Sequence, residues 1–108
     1  HPVTALKPQE YDVHNNYAVK ADSEQTAYIT PTSVSGSYRI WAAVYNKAKT
    51  TQFSVDVGIT QASKNVRLKS GYMADHRGVA GTTYALVGGD SEWEVTTSNF
   101  EVKGRWTP

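Results

Sequence analysis

Residues 51–60, TQFSVDVGIT, alternate apolar and polar side chains with a period of two: Phe53, Val55, Val57 and Ile59 interleave with Ser54, Asp56, Gly58 and Thr60. Only a β-strand places every second side chain on one face, so this pattern predicts a strand with one buried face and one wet face. The segment before it, residues 37–46 (SYRIWAAVYN), repeats the period. Tyr38, Ile40, Ala42 and Val44 form one face, and Arg39, Trp41, Ala43 and Tyr45 form the other. Asn46-Lys47-Ala48-Lys49 joins the two segments, which together read as an antiparallel hairpin.

Composition extends the β reading to the whole chain. Twelve Val and twelve Thr stand against three Leu and three Ile, and charged residues make up 19 %. β-Branched residues favour the pleated sheet, and a helical bundle would need the opposite balance. At 108 residues the chain is one domain. There is no Cys to build a disulfide scaffold. No segment approaches the roughly 20 apolar residues of a membrane-spanning helix. Residues 1–10, with Pro2 and Pro8, read as an irregular arm ahead of a β domain over residues 11–108.

Short β-like runs follow at the spacing of a sandwich or barrel. Residues 11–20 are interrupted by His14-Asn15-Asn16, and residues 26–30 (TAYIT) stop at Pro31, which has no N–H to donate. Residues 33–37 (SVSGS) read as a turn, and residues 65–69 (NVRLK) as a strand with Val66 and Leu68 inward. Residues 71–81 form a loop between glycines, and residues 82–87 a strand closed by the turn signal Gly88-Gly89-Asp90-Ser91. Residues 92–97 and 99–106 read as a second hairpin. About eight short antiparallel strands without a substantial helix predict a β-sandwich or a small barrel, filled largely by aromatic side chains.

Charge speaks mainly against nucleic acid. Eleven Lys and Arg against ten Asp and Glu leave a net charge of +1, and the pI is about 8.2. Phosphate-binding domains show a basic patch and a pI above about 9. Lys64, Arg67 and Lys69 are the densest basic group, and read as a solvated strand face. The chain starts at His1-Pro2 and has no Asn-x-Ser/Thr sequon, a combination expected of a secreted bacterial protein after removal of a signal peptide.

Catalytic patterns are weak. No Ser lies in a Gly-x-Ser-x-Gly elbow, and the only acid–base neighbours are Asp75-His76, which read as loop residues. His1, His14 and His76 lack metal-ligand spacing, the ligand series after Asp90 does not continue, and no Gly-rich phosphate loop occurs. Glu92 and Glu94 share one strand face as solvent-facing carboxylates. A non-enzymatic monomer without metal or cofactor is expected. Exposed aromatics mark binding surfaces, and Arg39, Trp41 and Tyr45, opposite the apolar face of their strand, are the first candidates, unless that strand is central and buried on both sides or a neighbouring loop covers Trp41. Trp106 is another, or else it closes one end of the core.

Three short motifs carry a resemblance: the Tyr38-Arg39 pair opening a strand, Asn65-Val66-Arg67-Leu68, and the closing Val102-Lys103-Gly104-Arg105-Trp106. In these the last two-thirds of the chain resembles small secreted bacteriocin-like β proteins of bacteria. Thr107-Pro108 stands where their acidic tail would follow. The resemblance implies a secreted, antibacterial or cell-envelope-directed effector whose partner is a receptor, a wall component or a glycan of another cell. Two other functions fit the same residues. One is a carbohydrate-binding module stacking sugars on Trp and Tyr. The other is a protease inhibitor presenting the 71–81 loop. A structural or adhesive module within a longer protein is a further expectation.

Overall fold

The computed structural model describes residues 2–6, 17–35, 40–90 and 101–108. Among these residues the chain forms eight strands: β1 (Pro2–Leu6), β2 (Tyr17–Val19), β3 (Thr26–Ser35), β4 (Ile40–Asn46), β5 (Val57–Ile59), β6 (Leu68–Gly71), β7 (Thr83–Asp90) and β8 (Glu101–Thr107). They pair antiparallel in two four-stranded sheets, β1-β8-β3-β6 (sheet 1) and β2-β7-β4-β5 (sheet 2). The all-β expectation therefore holds, and two separate sheets make the architecture a sandwich rather than a barrel. The radius of gyration, 12.9 Å, is that of a single domain of about 100 residues. Among the described residues the one helical segment is a 3-10 turn at Gln61–Ser63, and no helix there is long and apolar enough to cross a membrane.

The core lies between the sheets and follows the period-two rule. Sheet 1 contributes Ala27, Ile29, Val34, Val102 and Trp106; sheet 2 contributes Ala18, Ile40, Ala42, Val44, Ile59, Tyr84 and Leu86. With so little Leu available, aromatic area does much of the work. Burying one indole such as Trp106, at 1 % exposure, contributes roughly 4–6 kcal/mol of gross hydrophobic stabilisation.

Several local expectations are corrected. The supposed irregular arm supplies β1, which pairs with β8 through Pro2↔Arg105 and Leu6↔Val102. Pro31 does not end its strand: β3 runs on to Ser35, with a bulge between Pro31 and Ser33. Pairing with β6 stops at Ile29, so Pro31 needs no N–H on that side, and its carbonyl accepts the Asn65 N–H at 2.6 Å. The Gly88-Gly89 turn signal lies inside β7, where the two glycines pair with Ala42 and Trp41.

The fourth correction concerns the best-patterned segment, residues 51–60. Only Val57–Ile59 is a strand. Val55 is exposed while Ser54 is fully buried, the reverse of the expected faces. The Ser54 hydroxyl accepts the Val44 N–H at 2.8 Å and lies 2.7 Å from the Ser70 hydroxyl, which also reaches the Val55 carbonyl at 2.5 Å. A side chain thus takes a place in the ladder, and the chain crosses towards sheet 1, where Val55 N–H donates to Gly71 O. Likewise Val66 is exposed, because residues 65–66 belong to the turn after Gln61–Ser63 rather than to β6. The expected 92–97 strand, its hairpin turn, Glu92, Glu94, and His1 and His14 lie outside the described residues.

Candidate functional site

Trp41 and Tyr45 sit on the outer face of sheet 2, as their alternation in β4 predicts, but they do not form an open platform. Both are half-buried, their ring centroids are 6.4 Å apart, and Ala43 between them is completely covered. Ala85 and Val87 on the same face are also buried. The indole lies over Gly89: a Cβ there would come within 2.9 Å of Trp41 Nε1 and 3.2 Å of Cζ2. Tyr45 Oη donates to Gln52 Oε1 at 3.2 Å. The pair therefore packs the back of the sheet. Arg39 lies outside the described residues. Trp106 takes the second of its two readings: it faces inward from β8, paired with Ile29, and closes the core.

The outer face of sheet 1 is different. Pairing sets Tyr28 between Lys69 and Thr107, and Thr30 beside Arg105. With Ile29 opposite Leu68, the next residue of each chain, Thr30 and Arg67, share this face. Arg67, Lys69, Lys103, Arg105 and Thr107 are all exposed. Between them lies a depression of about 320 Å³ lined by Tyr28, Thr30, Arg67, Arg105, Thr107 and Trp106. Arg67 Cζ sits 3.6 Å from the centre of the Tyr28 ring, a cation–π contact that holds the guanidinium in place. Tyr28 Oη donates to Glu24 Oε1, and that hydrogen bond, with desolvation a smaller cause, holds the phenol above its ordinary pKa. Arg67 was already visible in the basic run of the sequence, whereas Tyr28 and Arg105 were not singled out. No local signal said that β8 lies beside β3.

A second cluster occupies the end of the sandwich below the 71–81 loop. Lys20 is fully buried; its Nζ donates to Asp22 Oδ1 at 3.4 Å and to the Pro108 carbonyl at 3.3 Å, and lies 5.0 Å from the Tyr72 ring centre. Phe53, His76, Tyr72 and Tyr84 form an aromatic chain, with centroid separations of 5.0 Å for Phe53–His76 and 5.5 Å for Phe53–Tyr84. The Tyr72 hydroxyl is buried with no hydrogen-bond partner among the described residues, and burial raises its pKa strongly. Gln25 clamps the loop by exchanging two hydrogen bonds with Gly78, at 2.8 and 2.9 Å. His76 is thus a loop residue packed on Phe53, with Nδ1 3.3 Å from Asp75 Oδ1. Sequence reading missed Lys20, because a lysine at a strand end ordinarily reads as solvated.

Among the described residues, no group of three His, Cys, Asp or Glu is placed to hold a metal ion. Comparison of the chain with protein-family models, curated proteins and solved structures finds no match.

Proposed function

We propose that the protein is a secreted, non-catalytic recognition module directed at the envelope of another cell, and that the outer face of sheet 1 around Tyr28, Arg67 and Arg105 is its contact surface. One observation carries this reading: the depression of about 320 Å³ on this sheet face, where the half-buried Tyr28 and Thr30 of β3 lie among the exposed Arg67, Arg105 and Thr107. Its lining combines an aromatic ring, two guanidinium groups and two threonine hydroxyls. Tyr and Arg are the residues most enriched at recognition surfaces, because they join a large contact area to hydrogen-bonding capacity. Strands rather than loops carry most of them, so the surface is pre-organised and little ordering entropy is lost on binding. The antibacterial, bacteriocin-like action suggested by the sequence resemblance is an extension of this proposal.

The test is retention of labelled protein on intact bacterial cells and on isolated walls, for wild type and for Tyr28→Ala and Arg105→Ala. At least a tenfold loss of retention is expected for each variant, with melting temperatures close to wild type. Equal retention by the variants, or none by the wild type on any envelope, contradicts the proposal. A second reading, protease inhibition, is favoured by the clamped 71–81 loop, which holds Val79 57 % exposed. Stoichiometric inhibition of a protease, lost in Val79→Glu, would replace the first reading with this one.

A further inference from the structure

Arg67 and Arg105 approach Thr30 from opposite neighbours, β8 on one side and the approach to β6 on the other. Adjacent strands are about 4.8 Å apart, so the two backbones stand roughly 10 Å apart with Thr30 between them. Lys69 lies one same-face step beyond Arg67, about 7 Å along the strand. The result is an open triangle of cations with edges of roughly 7–12 Å, set beside the Thr30 and Thr107 hydroxyls, with Tyr28 and Trp106 completing the lining. Among the described side chains, Glu24, held by Tyr28 Oη, is an acidic group that touches the lining from its edge; Asp22 and Asp56 are turned to Glu24 N–H and Gln52 Nε2.

Resting on the reading of this face as the contact surface, we propose that its ligand is an acidic polysaccharide, a flexible polyanion whose charges are carried on saturated, hydroxyl-rich units. Arg67 and Arg105 grip anionic groups on separate units, Lys69 adds a third charge, and Thr30 and Thr107 meet the hydroxyls of the unit in the depression. The planar, multiply donating guanidinium suits carboxylate and sulfate oxygens. Nucleic acid fits this surface less well. Duplex DNA carries one charge per about 1.7 Å of axis, far denser than this spacing. Single strands bind by stacking bases on aromatic faces, and Arg67 already covers Tyr28.

Affinity electrophoresis and titration calorimetry with dextran sulfate, uncharged dextran of equal length, and oligo(dT) test the proposal. Dextran sulfate should bind, with an affinity that falls on the order of tenfold between 50 and 200 mM salt for two to three released counterions, and uncharged dextran should not. The double variant Arg67→Gln/Arg105→Gln should lose at least tenfold. Lys47→Gln/Arg77→Gln, which removes the same charge from exposed positions on other loops, should bind as wild type. Equal losses in the two double variants, equal binding of uncharged dextran, or tighter binding of oligo(dT) would each overturn it. If dextran sulfate fails while Tyr28-dependent retention on walls persists, the acidic-polysaccharide class is wrong and the contact surface stands. If both fail, the reading of the surface falls as well.

Discussion

Gly104 is the position where a single methyl group tests the architecture behind the proposed surface. It sits in β8 opposite Pro31, at the bulge of β3, and immediately precedes Arg105. A Cβ there would lie 2.2 Å from the Thr30 carbonyl oxygen, 2.8 Å from Pro31 Cα and 3.0 Å from Thr30 C. All three are backbone atoms, so no side-chain rotation relieves the overlap. Ordinary heavy-atom contacts lie near 3.5 Å, so the strands must part by about 1 Å in Gly104→Ala. That carries the local ladder bonds past the roughly 3.2 Å at which they weaken. Two such bonds at about 1 kcal/mol each, together with about 1–3 kcal/mol for forced repacking, put the expected loss at about 3–5 kcal/mol. A domain of this size has roughly 5–15 kcal/mol of stability in all. With a urea m-value of about 1–2 kcal/mol/M, the unfolding midpoint should fall by roughly 1.5–5 M. Because Thr30 and Arg105 border the displaced backbone, wall retention should fall with it. Gly58→Ala is the control: nothing lies within 4 Å of its Cβ, and it should be neutral or slightly stabilising. Gly104→Ala unfolding within about 0.5 kcal/mol of wild type, inside the range of ordinary surface substitutions, would refute the bulge-and-glycine crossing.

Other perturbations follow from the same packing. Ser54→Ala removes the acceptor of the buried Val44 N–H and should cost about 1–3 kcal/mol in chemical denaturation; a neutral result would mean that the N–H finds another partner. Trp41→Ala uncovers Gly89 and should destabilise by about 1–3 kcal/mol, less than truncation of a fully buried Trp because the ring is only half-buried; loss of wall binding at unchanged stability would instead restore Trp41 as a contact residue. Tyr72→Phe deletes a hydroxyl that is buried without a partner and should be neutral or stabilising by up to about 1 kcal/mol. The raised Tyr72 pKa stabilises the fold below the unfolded-state value and is lost above about pH 10, so the variant should also melt less steeply with alkali. Asp22 works at the opposite end of the scale. The Glu24 N–H and, after it, Lys20 hold its carboxyl below 3.8, a contribution present above the unfolded-state pKa and lost as pH falls through the folded one. The melting temperature should therefore drop on acidification below about pH 4, and less so in Asp22→Asn; identical acid profiles would remove Asp22 from the account.

Much of the fold was legible because alternation in 40–46, 83–87 and 101–107 is set by which side chains can enter the core. What escaped was every place where a polar group or a glycine serves the sheet itself. Ser54 was given to the solvent face because its hydroxyl is small and polar, yet it replaces a backbone acceptor inside. Gly88-Gly89 read as a turn because a bare backbone ordinarily marks one, while here the absent side chain at Gly89 makes room for the Trp41 indole. Pro31 read as a terminator because a central strand would need its N–H, and β6 ends just short of that need. The candidate surface was legible only in fragments. Arg67 and Lys69 were visible as a basic run, and Arg105 as the neighbour of Trp106. Their meeting across Tyr28 depends on β3, β6 and β8 being adjacent, which is a long-range pairing with no local sequence signal. For the same reason Trp41 and Tyr45 looked like an exposed platform, since the covering of Ala43, Ala85 and Val87 is a tertiary fact.

The central claim, that the outer face of sheet 1 is the contact surface, is tested most directly by ¹⁵N–¹H spectra of the folded protein titrated with solubilised wall fragments. Shifts and broadening should concentrate on Tyr28, Thr30, Arg67, Lys69, Arg105 and Thr107, while Trp41, Tyr45 and Gly89 on sheet 2 stay in place. Perturbations centred on Trp41 and Tyr45, or on the 71–81 loop, would contradict the claim.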